Sequence, residues 1–389
     1  MLGPSGKVGV DVGASAVRVV VVSGTDDTSA ARVERAASAP LNPGAVVGGR
    51  IKDVAAVAAA MDDAFAESGA PRYGCVVGLS SPEGAVSRVA LPSTLKPSEW
   101  TAVVRTADRD PSYLLKLRDA ALSLNLMRDV APPEGQVMTL MGAVPRTDVA
   151  TMVRATKMAK ATPRAVDMVG AAVMRTMTRT YPGNTDVATV VDIGASKITV
   201  ATRQGAYLRS VRTVPSGADD ITRAVMGALD CQYREAEEYK RASRVLVTPP
   251  EVEAMPGESS GPMMSAYGKV STGAAPTAKT ADEKVAESVS VAAAALCDEI
   301  ASCVEADSAK FSQNTTKGVV LCGGGALMRG MRDMVADRVG VPVMVGRPWA
   351  TLVPGRHTEG VLAAAGGEEF ALLTLATAVG LALWEKGAV

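Results

Sequence analysis

Aromatic residues are scarce in this chain, 3% of 389 residues. Single-stranded nucleic acid is held by stacking bases on such rings, so that class of binder is disfavoured. Charge of one sign is missing as well. The 41 basic residues balance the 41 acidic ones, leaving no basic field for a phosphate backbone or an anionic lipid surface. The five cysteines (Cys75, Cys231, Cys297, Cys303, Cys322) are scattered, odd in number and never spaced CxxC. That argues against a disulfide framework or a zinc site and for buried thiols in a reducing compartment. His357 is the only histidine; it reads as a surface residue in a loop, which disfavours a histidine-based nucleophilic triad. The longest apolar run, 371–384, is interrupted by Thr374, Thr377 and Gly380. It falls short of the roughly 20 residues that cross a bilayer. No basic stretch followed by an apolar segment opens the chain. A cytoplasmic protein without a membrane span of its own is expected.

What is present is a chain 47% hydrophobic, whose cores must be built from Val, Ala, Leu and Met. The 18 methionines recur at helical spacing, as at Met168, Met174 and Met177, and read as core filler. The length suits two lobes. Residues 8–22, VGVDVGASAVRVVVV, read as a buried strand, an Asp-x-Gly turn and a second buried strand. Asp11 is the sole acid there, and an unpaired buried carboxylate is costly. It makes sense if the turn receives a phosphate and the carboxylate a hydrated metal. The pattern recurs at 187–202 as VATVVDIGASKITVAT.

Between the two copies, Asp53 caps a helix running to Ser68, with Val54, Val57, Met61 and Phe65 at helical spacing and Gly69 ending it. A strand at 75–79 follows. Segments 87–91, 98–106, 137–145 and 147–160 read as strand, helix, strand and helix, an inserted subdomain. Residues 108–133 show no clean period and receive no assignment. A strand at 164–166 and a helix at 167–180 return to the first lobe, and Pro182-Gly183-Asn184 marks the lobe boundary. In the second half, strands are expected at 187–191, 198–202 and 206–214. A helix capped by Asp219 or Asp220 comes next, then a charged helix at 233–242. Residues 249–280 are rich in Pro, Gly, Ser, Ala and Thr and read as a flexible insertion. A long helix at 281–307, a strand at 318–321, a helix at 328–339 and a strand at 341–345 complete the reading.

The paired Asp-x-Gly turns resemble phosphate loops one and two of the superfamily of actin, DnaK-type chaperones and sugar kinases. In that fold two hairpin turns clamp ATP phosphates across a cleft, and glycine lets backbone N–H groups approach the oxygens. The residues are Asp11, Gly13, Ala14 and Ser15 in the first loop and Asp192, Gly194, Ala195, Ser196 and Lys197 in the second. The segment 319–330, VVLCGGGALMRG, resembles the adenosine motif of the same fold, with Gly323, Gly324, Gly325 and Leu327. A Rossmann reading is poorer, since no acidic ribose partner follows at about 20 residues. Glu237, Lys240 and Arg241 have the spacing of the adenosine-contacting helix of DnaK-type chaperones, and Gly217 opens the helix before it. Taken alone that run supports a solvated helix face.

Within the superfamily the chain resembles the type IV pilus assembly protein PilM family over almost its whole length. The likeness is carried by GVDVGASAVRVV at the start, 43–46, 49–53, 87–92, 216–224, 236–241, 323–330 and 376–383. The resemblance implies a two-lobed α/β actin-like ATPase (ribonuclease H-like) fold. Its first-lobe core would be 1–86 and 161–183, its inserted partner-binding α+β subdomain 87–160, and its second lobe 184–389. It implies ATP with Mg²⁺, the metal on Asp11 and Asp192. The implied partner is the N-terminal cytoplasmic tail of a PilN-like bitopic membrane protein, held between the first-lobe core and the insert. A second copy and the pilus ATPases are further implied partners, with the protein peripheral to the inner face of the membrane. Two departures stand out. The stretch 101–117, TAVVRTADRDPSYLLKL, lacks the family's Glu-Ala pair and Tyr-Ile-Pro turn, so a different tail is expected. Val169 stands where the family has a glutamate. Asp167 is the nearby candidate for positioning a water, and slow or absent hydrolysis is expected. An FtsA-like division scaffold and a small-molecule kinase of the same superfamily are the alternatives.

Overall fold

The computed structural model describes residues 6–24, 31–106, 115–128, 130–180, 187–245 and 279–385. The expected lobe boundary at 182–184 and nearly all of the expected flexible insertion lie outside the described residues.

The valine-rich opening forms β1 (Lys7–Val12) and β2 (Ala16–Ser23), an antiparallel hairpin continued by β3 (Arg32–Pro40). A small hairpin of β4 (Val46–Val47) and β5 (Arg50–Ile51) leads into α1 (Val54–Ser68). Helix α1 has the expected bounds for the expected reasons. The Asp53 side chain accepts from the Ala56 N–H at 2.9 Å, and Gly69 ends the helix at φ 61°. Strand β6 (Tyr73–Leu79) then pairs in parallel with β1.

The insert contains β7 (Ala85–Pro92), α2 (Pro97–Thr106), β8 (Ala120–Leu126) and β9 (Gln136–Pro145), an antiparallel sheet in the order β7-β9-β8. Trp100, Val104, Leu117 and Met141 build its own small core. Strand β8 falls in the stretch left unassigned. Its leucines at 122, 124 and 126 do alternate, but over too short a run to stand out among the charges and prolines around it. Helix α3 (Arg146–Met158) closes the insert in sequence yet buries Met152 and Ala155 in the core shared by α1 and the first sheet. In packing terms, the first-lobe core therefore takes back the last part of the expected 87–160 subdomain. Strand β10 (Thr162–Met168) joins β6 in parallel, and α4 (Val169–Met177) follows.

The second sheet repeats the first. Strands β11 (Val187–Ile193), β12 (Ile198–Gln204) and β13 (Tyr207–Val214) form the antiparallel run. Helices α5 (Ala218–Leu229), α6 (Tyr233–Ala242) and α7 (Ala281–Lys310) come next. Gly217, rather than either aspartate, is the N-cap of α5. Asp220 serves from inside the first turn, accepting from the Gly217 N–H at 2.8 Å and from Ser216 Oγ at 2.7 Å. Strand β14 (Val319–Cys322), α8 (Met331–Val339) and β15 (Val343–Val345) complete the repeat. The order β3-β2-β1-β6-β10 in one sheet matches β13-β12-β11-β14-β15 in the other, with the same strand directions.

The last stretch corrects the expected second lobe of 184–389. Strand β16 (Thr351–Leu352) pairs with β3, and α9 (Glu359–Ala365) and α10 (Glu368–Ala382) pack on the first sheet. Helix α10 carries no amphipathic period that would assign it to a lobe, because it is buried on nearly every side, between β1, β2 and β6 on one face and α4 on the other. Contact is close at two glycines. A Cβ on Gly9 would lie 1.9 Å from the Ala378 carbonyl oxygen, and one on Gly380 would lie 1.9 Å from that of Ala172. Among the described residues no single helix is long and apolar enough to cross a membrane; α9 and α10 reach that measure only together, bent by 111°.

Substituting Gly380→Ala should lower stability by roughly 1–3 kcal/mol, because backbone must move to admit the methyl. Gly227→Ala, on α5 with nothing within 4 Å of the new carbon, should raise it by about 0.5–1 kcal/mol. Urea unfolding of both variants checks the pair, and equal effects would mean α10 is not so tightly seated.

Candidate functional site

Each hairpin ends in a turn of the same construction. The Gly13 N–H donates to the Ala16 carbonyl at 3.0 Å, and the Gly194 N–H to the Lys197 carbonyl at 2.9 Å. These turns open on one cleft of about 610 Å³. It is lined by Asp11, Gly13, Ala14 and Ser15 from one lobe and Asp192, Gly194, Ala195, Ser196 and Lys197 from the other. Gly323, Gly324, Gly325, Leu327, Glu237, Lys240 and Arg241 line it too. Sixteen of the seventeen expected nucleotide-binding positions thus meet in one place, and only Gly217 stays outside the lining. Gly217 acts by packing: a Cβ there would sit 2.4 Å from the Ala195 carbonyl oxygen. The start of α5 closes on the second loop, with the Ala218 and Asp219 N–H groups donating to the Gly194 and Ala195 carbonyls at 3.0 and 2.8 Å.

The triple glycine is only partly explained by ligand approach. A Cβ on Gly323, at φ 81°, would lie 2.3 Å from Asp192 Oδ1, and one on Gly325 would lie 2.3 Å from Ile193 Cγ2. Two of the three glycines are therefore required to lay this turn against β11. Gly324 has open space where its side chain would be and gives the cleft a bare backbone. On α6 the motif does more than solvate a helix face. Lys240 is buried, its Nζ 2.5 Å from Glu237 Oε2, 2.9 Å from Thr222 Oγ1 and 3.3 Å from the Ala218 carbonyl. Arg241 Nε donates to Glu237 Oε1 at 3.1 Å. Burial would raise the Glu237 carboxyl, but its bonds from Lys240, Thr222 and Arg241 outweigh that and hold it below its usual range.

The two loop carboxylates are nearly enclosed, Asp11 at 7% and Asp192 at 8% exposure. Arg18 Nη1 stands 3.6 Å from Asp11 Oδ2, directly across the β1–β2 ladder. The sole hydrogen-bond donor to Asp192 among the described residues is the Cys322 thiol, at 4.0 Å. Burial pushes the Asp192 carboxyl up to about 6; the Lys197 and Arg18 charges lower it, and the Asp11 charge raises it. Two carboxylates lining one cleft from opposite lobes fit a hydrated Mg²⁺, which takes one or two protein carboxylates and completes its shell with water and phosphate. Among the described residues no group of three or more His, Cys, Asp or Glu could hold a metal by itself.

The structure does not bring Asp167 to this site. Its carboxylate pairs with Arg175, which also donates to the Gly380 carbonyl and so ties α4 to α10. Val169 is a buried core side chain beside it. His357 lies away from the cleft, half-buried, its ring nitrogen 3.2 Å from the Glu67 carbonyl. Residues that sequence reasoning missed include Arg18, Ser38, Asp219, Tyr233, Thr374 and Thr377. Arg18 had a signal, the lone cation in a valine strand. Tyr233 and Asp219 are joined by a 2.9 Å hydrogen bond between two helices, and the threonines come from α10; no local pattern announces either.

Comparison with known proteins agrees with this architecture. Residues 9–249 match the family model of the type IV pilus assembly protein PilM, and residues 189–367 match that of the cell division protein FtsA. No curated protein matches the chain. A solved PilM–PilN type IV pilus biogenesis complex is similar at 22% identity and a TM-score of 0.71, covering 98% of both chains. The ethanolamine utilization protein EutJ from Carboxydothermus hydrogenoformans is similar at 14% identity and a TM-score of 0.52, covering 99% of this chain and 91% of its own. The fold is that of the actin-like ATPases.

The raised carboxyl of Asp192 makes a signed prediction for the nucleotide-free protein in chelator. A folded-state value near 6, against an ordinary value of 3.8, means this residue favours folding fully below about pH 4 and ceases to as pH rises through 6. Asp192→Asn should therefore be more stable than the parent at pH 7.5, by at most about 3 kcal/mol at 1.36 kcal/mol per pKa unit. The gap should close as pH falls to 4. Thermal unfolding across pH 4–8 measures it, and a variant no more stable than the parent at pH 7.5 would contradict the assignment.

Proposed function

The chain belongs to the type IV pilus assembly protein PilM family, and from that premise we propose that it is an ATP-binding scaffold docking a membrane component of a pilus machine. The observation that carries the nucleotide half is the pair of Asp-x-Gly turns facing one cleft, each with a buried carboxylate. Backbone N–H groups of the two turns would hold phosphates, Asp11 and Asp192 a hydrated Mg²⁺, and the Gly323–Gly325 turn with α6 the nucleoside. When bound, the metal would supply neutralisation of phosphate charge.

The partner reading rests on the premise of family and on the shape of the first lobe. The similar solved structure is a PilM–PilN complex; for this chain the cytoplasmic tail of a PilN-like protein is the proposed partner. Helix α3 touches α1 on the core side and β8 and β9 on the insert side, so it forms the boundary where such a tail would lie. Its outer face carries an open hollow lined by Ala150, Val153, Arg154, Lys157 and Met158. A location on the cytoplasmic face of the membrane, reached through that partner, belongs to the same proposal.

Slow hydrolysis is proposed on chemical grounds. Besides the two loop aspartates, the carboxylates lining the cleft are Asp219 and Glu237, both engaged at the α5–α6 end. The Asp219 carboxylate is held by the Tyr233 hydroxyl, although its backbone meets the second loop, and Glu237 is held by Thr222, Lys240 and Arg241, so both are engaged by protein groups rather than by a water. An FtsA-like division scaffold shares the second-lobe match and differs in partner.

ATP with Mg²⁺ at about 100 times its dissociation constant should stabilise the protein by about 2.7 kcal/mol, read as a thermal shift. Asp11→Ala should lose that shift while its circular dichroism stays unchanged. Retained ATP affinity in this variant would refute the role of Asp11. Absence of both ATP stabilisation and tail-peptide binding in the parent would refute the whole reading.

A further inference from the structure

The second loop differs from the first in one chemical respect. Its closing residue is Lys197, where the first loop has Ala16. The Lys197 side chain lines the cleft, but its ammonium is turned aside: Nζ lies 2.6 Å from Ser80 Oγ, in the opposite lobe just beyond β6. Both residues are buried, at 7% and 6% exposure, and Ser80 does not itself line the cleft. The lobes meet tightly here. Gly49, at φ 85°, lies so near Ser80 and Lys197 that a Cβ would be 3.0 Å from Ser80 Cβ and 3.5 Å from Lys197 Cδ. Ser196 Oγ is 3.5 Å from the Val46 carbonyl, also in the first lobe.

The buried Lys197 ammonium is bonded to a neutral hydroxyl, and a phosphate oxygen would supply the opposite charge that the hydroxyl lacks. Since the Lys197 carbonyl is held in the turn by the Gly194 N–H, only the side chain is free to change partner. It extends toward the first lobe, away from Glu237, Lys240 and Arg241 on the second-lobe helix α6. The phosphate within its reach is therefore the one farthest from the nucleoside. We propose that Lys197 reads the terminal phosphate of a bound nucleoside triphosphate, exchanging Ser80 Oγ for a phosphate oxygen, so that this contact between the lobes depends on the third phosphate. The inference rests on the nucleotide reading above and assigns that site a triphosphate sensor.

Calorimetric titration of the full chain with ATP and with ADP, each with Mg²⁺, tests it using Lys197→Met and Ser80→Ala. Lys197→Met should weaken ATP by about tenfold or more while leaving ADP within about twofold, the loss of one charge-assisted hydrogen bond. Ser80→Ala removes the competing partner and should tighten ATP by about threefold without changing ADP. It should also lower the thermal midpoint of the nucleotide-free protein, a deficit that ATP erases. Equal weakening of both nucleotides by Lys197→Met, no weakening of either, or weaker ATP binding in Ser80→Ala would each overturn the inference while the nucleotide site stood. A parent protein that binds neither nucleotide would overturn the site and the sensor together. Should Lys197→Met fail to fold, Ser80→Ala alone decides between the outcomes.

Discussion

At Gly9 the backbone of β1 lies against the backbone of helix α10 with no side chain between them, and the cleft depends on that contact. At Gly9 and Gly380 the helix is wedged between the first sheet and α4 at distances that only a missing Cβ allows. Strand β1 carries Asp11 and runs into the first Asp-x-Gly turn, and α10 itself contributes Thr374 and Thr377 to the cleft. Helix α4 in turn packs on β11, β12 and β13 of the second sheet. The two sheets are thus joined through two closely stacked helices, so the loops at their ends are set by backbone packing rather than by the cleft residues. Glycine at these sites costs conformational entropy in the unfolded chain, offset by the dispersion contacts of the closer approach.

That frame holds two carboxylates near enough for Asp192 to feel the charge of Asp11. Each lobe supplies a cation of its own, but at different steps along its hairpin. Arg18 stands opposite Asp11 in the first, where the second has Thr199 opposite Asp192. Lys197 closes the second loop, where the first has Ala16. The repeat therefore preserves the acids and moves the cations. One consequence is the Thr199 hydroxyl, buried without a hydrogen-bond partner, at the place where an arginine would have met the acid. Asp11 therefore has a cation 3.6 Å away across its own hairpin, whereas Asp192 has no ion pair within its own hairpin among the described residues.

Much of this was legible in the chain because it is written in local signals. The two valine hairpins, the Asp53 cap and Gly69 stop of α1, and the glycine turn after β14 each state their geometry within a dozen residues. Their recurrence placed both halves of the cleft. What stayed hidden has two physical causes. A helix buried on all faces, such as α10, has no polar side to reveal which sheet it covers, so its return to the first lobe was unreadable. Contacts made across the fold, such as Lys197 with Ser80 and Tyr233 with Asp219, leave no spacing to detect. Asp167 shows the opposite error: its position near the departure from the first lobe fitted a catalytic role, yet Arg175 occupies it.

The insert sets a further constraint on how any two-lobed motion reaches the surface. It branches from the first lobe between β6 and β10, but it rests on the second. Strand β7 lies beside β13 without a ladder between them, and the Arg128 N–H donates to the Tyr207 hydroxyl at 3.0 Å. Leu140 and Met127 of the insert share a core with Leu208 and Val211 of β13. Meanwhile α3, next in the chain, is locked to α1. A rotation of one lobe against the other must then either break the apolar contact with β13 or shift the insert's sheet relative to α3. Breaking it would expose buried Leu140 and Met127 at roughly 1.5–3 kcal/mol per side chain, so shifting is the less costly course. Under the proposed function, the boundary along α3 is where such a rotation would alter the insert, and the affinity of a tail seated there would be linked reciprocally to that of the cleft ligand.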